Sequence, residues 1–136
     1  MEPIYLSLVE AQNLITIIKP EIIKLIRLKK TIKLLETVEI EFDDNHKTLV
    51  NNTRLNRKYH KLSYDFYTTL DKLHFKGVTL KDIDQGIVVF YSFFEGREIF
   101  LCWNISDKKI RYWYEARLDY NSRKPVSMIE QKLRNQ

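Results

Sequence analysis

Apolar residues recur every three or four positions through the first forty residues of the chain. The stripe they form consists of Ala11, Ile15, Ile18, Ile22, Leu25, Ile32 and Leu35. This period is that of an amphipathic helix, and the motif Ser7-Leu8-Val9-Glu10 predicts a capping box at its start. Pro20 lies inside the stripe, which resumes in phase beyond it, so we expect a kink there rather than an end.

A second helical pattern spans roughly residues 45–76. Its repeating positions are Leu55, Tyr59, Leu62, Phe66, Thr69 and Leu73. Asp43-Asp44-Asn45 predicts the turn before this helix, and Gly77 predicts its C-terminal cap. Two long helices with a short joint predict an antiparallel hairpin. A second stripe on the first helix, Leu14, Ile17, Leu28 and Val38, predicts that this helix packs on two sides.

After Gly77 the apolar period changes to two, which is typical of strands. The predicted strands are Ile87–Phe94, Arg97–Ile105 and Lys109–Ala116, with a further short strand near Val78–Leu80. Turns are predicted at Glu95-Gly96, with two residues, and at Ser106–Lys109. Pro125 and the motif Ser127-Met128-Ile129-Glu130 predict a short C-terminal helix.

These elements predict an α+β fold in one domain: a long antiparallel helical hairpin packed on a three- to four-stranded antiparallel β-meander. The single domain covers residues 1–136, with the hairpin at about 7–76, the meander at about 78–117 and a C-terminal segment at 118–136.

The strand register predicts which side chains share a face of the sheet. If the Glu95-Gly96 turn has two residues and Ile105 pairs with Ile110, one face holds Val88, Phe90, Leu101, Trp103, Tyr112 and Tyr114. The opposite face holds Val89, Tyr91, Phe100, Cys102, Trp113 and Glu115. Both faces are largely apolar, so we expect the helical hairpin on one and a second subunit or the C-terminal segment on the other. Together with the two-sided first helix, this favours a homodimer.

Cys102 is the only cysteine of the chain. The predicted register places it between Val89 and Trp113, where an apolar setting would keep the thiol protonated and inert. We therefore expect a packing role. A single cysteine also fits a reducing compartment, and neither a signal peptide nor a membrane span is evident, so we expect a soluble cytoplasmic protein with no membrane partner.

Known cofactor and metal patterns are missing from the sequence. The three glycines are accounted for by a helix cap, a strand start and a hairpin turn, so none is left for a phosphate-binding loop. His46, His60 and His74 are separated by fourteen residues each, roughly 21 Å along a helix, so no two can share a metal within one chain. We expect no cofactor and no metal. Asp82 and Asp84 could hold a cation, but turn capping before Gly86 is the favoured interpretation.

The net charge of +5 is spread along the chain. Basic residues cluster on both predicted helices. If the hairpin turns near residue 44, residues 24–33 lie level with 55–64, and the clusters form one basic girdle. The candidate nucleic-acid-binding residues are Lys24, Arg27, Lys30, Arg54, Arg57, Lys58 and Lys61, with Lys29 and Lys33 beside them. Such a girdle could follow a phosphate backbone, and the alternative is an ordinary solvated helix surface.

A second candidate site follows the last strand. Trp113, Glu115 and Arg123 could line a small-ligand pocket in which the arginine binds a carboxylate or phosphate. The alternative, which is favoured, is an ion pair of Arg117 or Arg123 with Glu115 or Asp119.

The order of several motifs resembles a known family. The segments are GVTLKDIDQGIVVF, EGREIFLCWNI and IRYWYE, then Arg123-Lys124-Pro125-Val126, with YLSLVEAQNLITIIKPEI at the start. This combination resembles the family of small prokaryotic proteins called domain of unknown function 2203. The resemblance implies no activity, cofactor or site residue. Its members commonly carry an acidic residue at the position of Val89, a histidine at that of Tyr114, and glycines at those of Asp119 and Ser122.

If that acid and histidine serve as an acid–base pair in some relatives, this chain lacks both members, which favours a non-enzymatic role. The leading interpretation is a non-catalytic interaction or scaffold module. One alternative is a nucleic-acid-binding protein that uses the basic girdle. Another is a small-ligand pocket or cryptic enzyme near Trp113 and Arg123.

Overall fold

The computed structural model describes residues 3–41 and 48–134. Its helices are α1 (Leu8–Glu41), α2 (Thr48–Phe75) and α3 (Ser127–Arg134). Its strands are β1 (Val78–Asp82), β2 (Ile87–Phe94), β3 (Arg97–Asn104), β4 (Tyr112–Glu115) and β5 (Lys124–Pro125), with a 3₁₀ turn at Tyr120–Ser122. The predicted α+β class is confirmed, and the sheet has five strands. The predicted turn at Asp43-Asp44-Asn45 lies outside the described residues.

The start of α1 is fixed by the predicted capping box. The Ser7 N–H donates to Glu10 Oε1 at 3.1 Å, and the Glu10 N–H donates to Ser7 Oγ at the same distance. The hydrogen bond from the Ser7 backbone holds the pKa of Glu10 below its ordinary value. The helix then continues through Pro20 to Glu41.

The two long helices are antiparallel. Near one end the Tyr59 hydroxyl donates to Glu36 Oε1 at 3.1 Å, and near the other Lys76 Nζ lies 3.8 Å from Glu21 Oε2. At the end of α2 the Gly77 N–H donates to the His74 carbonyl at 3.0 Å, and Gly77 has a φ of 88°, as predicted for a left-handed cap.

One face of α1 packs on one face of the sheet and builds the main core. The helical contribution is Ala11, Ile15, Ile18, Ile22 and Leu25, with Leu73 from α2. The sheet contributes Val78, Val88, Phe90, Ile99, Leu101, Trp103 and Trp113. We call this side of the sheet the core face and the opposite side the outer face. Across residues 3–41 and 48–134, no helix combines the length and apolarity needed to cross a bilayer.

The five strands follow one another in the order β1-β2-β3-β4-β5, and every pair is antiparallel. Between β2 and β3, Glu95 and Gly96 have φ values of 54° and 75°. Positive values at both central residues give the turn type whose twist matches a two-residue hairpin. The predicted register of this hairpin is confirmed, since Phe90 pairs with Leu101 and Val88 with Trp103.

The segment before α1 continues the edge of the sheet where β1 stops. The last pair between β1 and β2 joins Val78 to Phe90. One residue farther along β2, the Tyr91 carbonyl accepts a hydrogen bond from the Leu6 N–H at 2.8 Å. Tyr5 then packs against Tyr91 and Phe93 on the outer face, with ring centroids 6.1 and 4.4 Å apart.

Candidate binding site on the outer face of the sheet

The pairing of β3 with β4 decides which residues share the outer face. Leu101 pairs with Trp113, and Cys102 pairs with Tyr112. The predicted register, in which Leu101 faced Tyr114, is therefore wrong by one residue. Because side chains alternate along a strand, Trp113 moves to the core face, while Tyr112 and Tyr114 move to the outer face.

The connection between β3 and β4 explains the shift. Its residues do not close a tight turn around an Ile105–Ile110 pair. Instead, Ile110 is buried in the core and its N–H donates to Gln12 Oε1 of α1 at 3.0 Å. Trp103 Nε1 donates to the Asp107 carbonyl at 2.9 Å, which holds the loop against the core face. Strand β4 begins only at Tyr112.

The predicted small-ligand pocket is not assembled. Trp113 is fully buried on the core face, where its Nε1 donates to the Pro125 carbonyl at 3.1 Å. Glu115 lies on the same face and pairs with Arg97. Arg123 instead lies against the rings of Tyr120 and Tyr112. The predicted pairing of Arg123 with Glu115 or Asp119 is also wrong, since the ion pairs of the described residues do not include Arg123.

The outer face carries a continuous row of aromatic rings, which we call the ring row. Its members are Phe93, Tyr5, Tyr91, Phe100, Tyr114 and Tyr120, in spatial order. Successive centroids lie 4.4, 6.1, 5.0, 5.2 and 5.9 Å apart. Tyr91, Phe100 and Tyr114 come from three neighbouring strands and Phe93 also lies on β2, whereas Tyr5 and Tyr120 come from segments that fold onto the sheet. Tilted and edge-to-face contacts at such distances stabilise each ring's position.

Two cations lie over one end of the ring row. Lys81 Nζ is 5.6 Å from the Tyr114 centroid and 5.5 Å from the Tyr120 centroid. Arg123 Cζ is 4.1 Å from the Tyr120 centroid and 5.2 Å from that of Tyr112. Arg123 Nη1 also donates to the Tyr120 hydroxyl at 2.8 Å. Cations at these distances are attracted to the ring faces.

Neither cation is neutralised by an acidic side chain of the described residues. Lys81 and Arg123 are outside all the ion pairs found there. The three central strands place one acid, Glu98, on the outer face, opposite Phe93 at the far end of the ring row. Asp119, just before the 3₁₀ turn, is close enough to Tyr114 to contribute to raising its pKa, so the end of the row near Tyr120 carries two cations and one acid.

Cys102 lies under this end of the row and is buried, as predicted. Its neighbours are Val89 and Tyr114, whereas Trp113 was predicted. Burial raises the pKa of the thiol to about 12, although Arg123 and Lys81 oppose the shift. The sequence pattern did not predict these two cations near the thiol. Burial also raises the pKa of Tyr114 to about 12, so both groups are protonated at neutral pH.

Asp82 and Asp84, near the turn between β1 and β2, make structural contacts. Asp82 Oδ1 accepts a hydrogen bond from the Gln85 N–H at 3.1 Å, and Asp84 pairs with Lys29 of α1 at 3.3 Å. Within residues 3–41 and 48–134, no three side chains of the types that ligate metals lie together. His46 lies outside the described residues.

The basic residues of the hairpin do not lie at one level. Lys33 and Glu36 of α1 share a groove with Tyr59 and Ser63 of α2. Residues 29–36 therefore lie level with 59–67, whereas residues 24–33 were predicted level with 55–64. Because of this offset, Lys30 and Lys58 are separated by roughly 10 Å along the hairpin, at 1.5 Å per residue.

The predicted girdle is thus two basic groups at successive levels. One group is Lys24, Arg27 and Lys30, and the other is Arg54, Arg57, Lys58 and Lys61. All seven side chains are exposed.

A cavity of about 310 Å³ lies elsewhere, between α3 and the β2–β3 turn. Its lining is mostly apolar and includes Leu8, Leu101, Ile129 and Leu133. The charged side chains at its rim, Lys132 and Glu95, pair with each other at 2.9 Å. This cavity could hold a small apolar ligand, but it is separate from the residues that the sequence indicated.

The outer-face residues that sequence reasoning missed are Lys81, Tyr112, Tyr114 and Tyr120. With the correct register, the alternation Tyr112-Trp113-Tyr114 would have placed both tyrosines beside Cys102. No sequence signal joins Lys81 to Tyr120, since only the folded sheet brings them together.

One family model matches the chain over residues 5–126, and its description is "Uncharacterized conserved protein (DUF2203)". The matched region includes the whole ring row, Lys81 and Arg123. The match confirms the resemblance seen in the sequence. No curated protein and no solved structure matches the chain.

Proposed function

The chain belongs to the DUF2203 family of uncharacterised conserved proteins, and from that premise we propose that it is a non-catalytic, cytoplasmic binding module that uses the outer face of its sheet. The observation that carries this proposal is the placement of Lys81 and Arg123 over the ring row, outside the ion pairs of the described residues. A ligand with negative charge and a planar group complements both features.

The titration of the buried groups supports binding over catalysis. Cys102 and Tyr114 both have a pKa of about 12. A nucleophile or general base is most effective when its pKa lies near the working pH. Cys102 and Tyr114 therefore have a packing role, and the exposed rings and the two cations would contact the ligand.

Thermal unfolding against a panel of anions tests the proposal. The panel is heparin, poly-glutamate, a double-stranded DNA and a single-stranded oligonucleotide. At a concentration about ten times its Kd, a member that binds should raise the Tm of the wild type by about 3–6 °C. The double variant Lys81→Ala/Arg123→Ala should lose this shift, and Lys108→Ala/Lys109→Ala, in an exposed turn, should keep it.

The basic surface of the hairpin is the alternative site, and the same assay separates the two. The variant Lys30→Glu/Lys58→Glu reverses one charge in each basic group of the hairpin. If it abolishes the shift while Lys81→Ala/Arg123→Ala does not, the ligand binds the hairpin and the outer-face proposal is wrong. A panel in which no member shifts the wild type also contradicts the proposal.

The homodimer predicted from the sequence is a further proposal. Ile17, from the second stripe of α1, is 62% exposed, and Leu34 on the same helix is 67% exposed. The two side chains lie roughly 26 Å apart along α1, so a dimer that uses both would have to pack along the length of this helix. Size-exclusion chromatography with light scattering should give twice the chain mass of 16.4 kDa, and Ile17→Lys/Leu34→Lys should give the monomer. A monomeric wild type would contradict it.

A further inference from the structure

Resting on the binding function proposed above, we infer that the ligand of the outer face is single-stranded nucleic acid. Its bases would stack on the exposed rings, and its phosphates would lie beside Lys81 and Arg123. The ligand would be a polymer with unpaired bases, and it would follow the ring row.

The extent of the ring row favours several bases over one. Tyr91, Phe100 and Tyr114 occupy β2, β3 and β4, with centroids 5.0 and 5.2 Å apart. The row is continued at both ends, by Tyr5 and Phe93 and by Tyr120. A lone planar ligand uses one or two rings, whereas this face offers several: Phe93 and Tyr112 are exposed, and Tyr91, Phe100 and Tyr120 are partly exposed around the buried Tyr114. Aromatic side chains on an antiparallel sheet are a recurring platform for two or three stacked bases.

The accessible parts of the rings lie where a strand can reach them. Phe93 is 56% exposed at one end of the row, and Tyr112 is 42% exposed beside the other end, under Arg123. Tyr114 is only 4% exposed and forms the floor between them. Unpaired bases present free faces for stacking, but bases inside a duplex do not, so the rings favour single strands.

The charge distribution favours an anionic group at the end of the path near Tyr120, while Glu98 lies at the far end opposite Phe93. Lys81 and Arg123 lie within 5.6 Å of ring centroids in the row, so a phosphate between them would be next to a stacked base. An acidic peptide would neutralise these cations but leave the rings without a stacking partner. A second copy docked through this face would bring four cations together, and like charges in an interface oppose association.

Fluorescence anisotropy with labelled 15-nucleotide single strands of RNA and DNA, and with a matched duplex, tests the inference. The wild type should bind a single strand more tightly than the duplex. Because stacking on one ring is worth a measurable part of binding, Phe93→Ala and Tyr112→Leu should each weaken it by about fivefold or more. Lys81→Ala/Arg123→Ala should reduce the salt dependence by about 1.4 in slope, at about 0.7 per phosphate contact.

The control Lys108→Ala/Lys109→Ala should change stacking-dependent affinity little, and circular dichroism should show that every variant is folded. Equal binding of duplex and single strand, no loss in Phe93→Ala and Tyr112→Leu, or no binding at all would overturn the inference. The broader binding function would survive each of these results if heparin or poly-glutamate stabilised the wild type but not Lys81→Ala/Arg123→Ala. It would fail with the inference if the whole panel gave no shift, or if Lys30→Glu/Lys58→Glu abolished the shift and Lys81→Ala/Arg123→Ala kept it.

Discussion

The two faces of the sheet are both apolar, yet they are built from different residues. The core face, under α1, carries Val88, Phe90, Leu101, Trp103 and Trp113, each at most 1% exposed. The outer face carries mainly tyrosine and phenylalanine, with two cations above the rings. A tyrosine has an apolar ring and a polar tip, so it can remain partly in water where an aliphatic side chain would be better covered. The type of apolar residue thus differs between the two faces, and the outer face buries only a small cluster, Val89, Cys102 and Tyr114, at its centre.

The largest difference in stability between the faces is expected from replacing phenylalanine by alanine at two positions of β2, one on each face. Phe90→Ala removes a fully buried ring and should destabilise the fold by about 3–5 kcal/mol. Phe93→Ala removes an exposed ring from the outer face and should change the free energy of unfolding by less than about 1 kcal/mol. Urea unfolding measures both.

If Phe90→Ala does not fold, Phe90→Leu keeps most of the volume and should lower the free energy of unfolding by less than about 1.5 kcal/mol. Equal destabilisation by Phe90→Ala and Phe93→Ala would mean that the outer face is covered like the core face.

A smaller contrast concerns the ion pair at the margin of the core face. Glu115 has only 11% of its side chain exposed and pairs with Arg97. Arg97→Met would leave that carboxylate without its cation, and we expect a loss of about 1.5–3 kcal/mol. Lys29→Met removes a cation from the exposed pair with Asp84 and should change stability by about 0–1 kcal/mol.

Chemical denaturation at pH 7 gives both values. Equal effects of Arg97→Met and Lys29→Met would show that water screens the two pairs alike. Repeating the Arg97→Met measurement with Glu115→Gln present should recover part of the loss, because the buried charge is then absent.

The buried groups of the outer face should make stability fall at alkaline pH. The unfolded chain loses the Cys102 proton near its ordinary pKa of 9.0, while the folded protein keeps it until about 12. The folded state therefore binds more protons between these values, and the free energy of unfolding decreases as pH rises from 9 towards 12. Tyr114, shifted from 10.0 to about 12, contributes in the same direction.

Denaturant unfolding at several pH values checks this slope. Cys102→Ala and Tyr114→Phe should each flatten it, and an unchanged slope in both would contradict the assignment. At pH 8 the native thiol should react with a thiol reagent about 1000-fold more slowly than the unfolded one, since so little thiolate is present.

The smallest effect on folding is expected from the outer-face cations. Arg123→Ala removes contacts with two rings at an exposed position and should lower stability by only about 0.5–1 kcal/mol. The matched substitution Lys108→Ala, in an exposed turn, should have no measurable effect. Differential scanning calorimetry of both variants separates a binding role of Arg123 from a folding role. A loss of several kcal/mol would show that Arg123 is part of the structural core.

Local signals predicted most of the fold. Ser7 and Glu10 predicted the start of α1, and Gly77 predicted the end of α2. The dipeptide Glu95-Gly96 predicted the β2–β3 hairpin and its register. Each of these features depends on residues close in sequence. The antiparallel hairpin followed from two long helical patterns with a short joint between them.

The predictions that were wrong depend on contacts between residues that are far apart in the sequence. Ile110 is placed by Gln12 of α1, ninety-eight residues away in sequence, and this contact shifts β4 by one position. With this register Trp113 lies on the core face and Arg123 on the outer face, so the predicted pocket does not form. The offset of the two long helices likewise depends on which side chains interlock, and period alone does not specify it.

The hydrogen bond from Leu6 to Tyr91 has a consequence for self-assembly. An uncovered strand edge is a template on which other chains can add strands. The part of β2 beyond Val78–Phe90 would be such an edge, with Phe93 exposed beside it. The few residues before α1 cover this edge of β2 and therefore oppose fibrous aggregation. A chain shortened to begin at Ser7 would lose Leu6 from the margin of the core and would present an open strand edge to its neighbours.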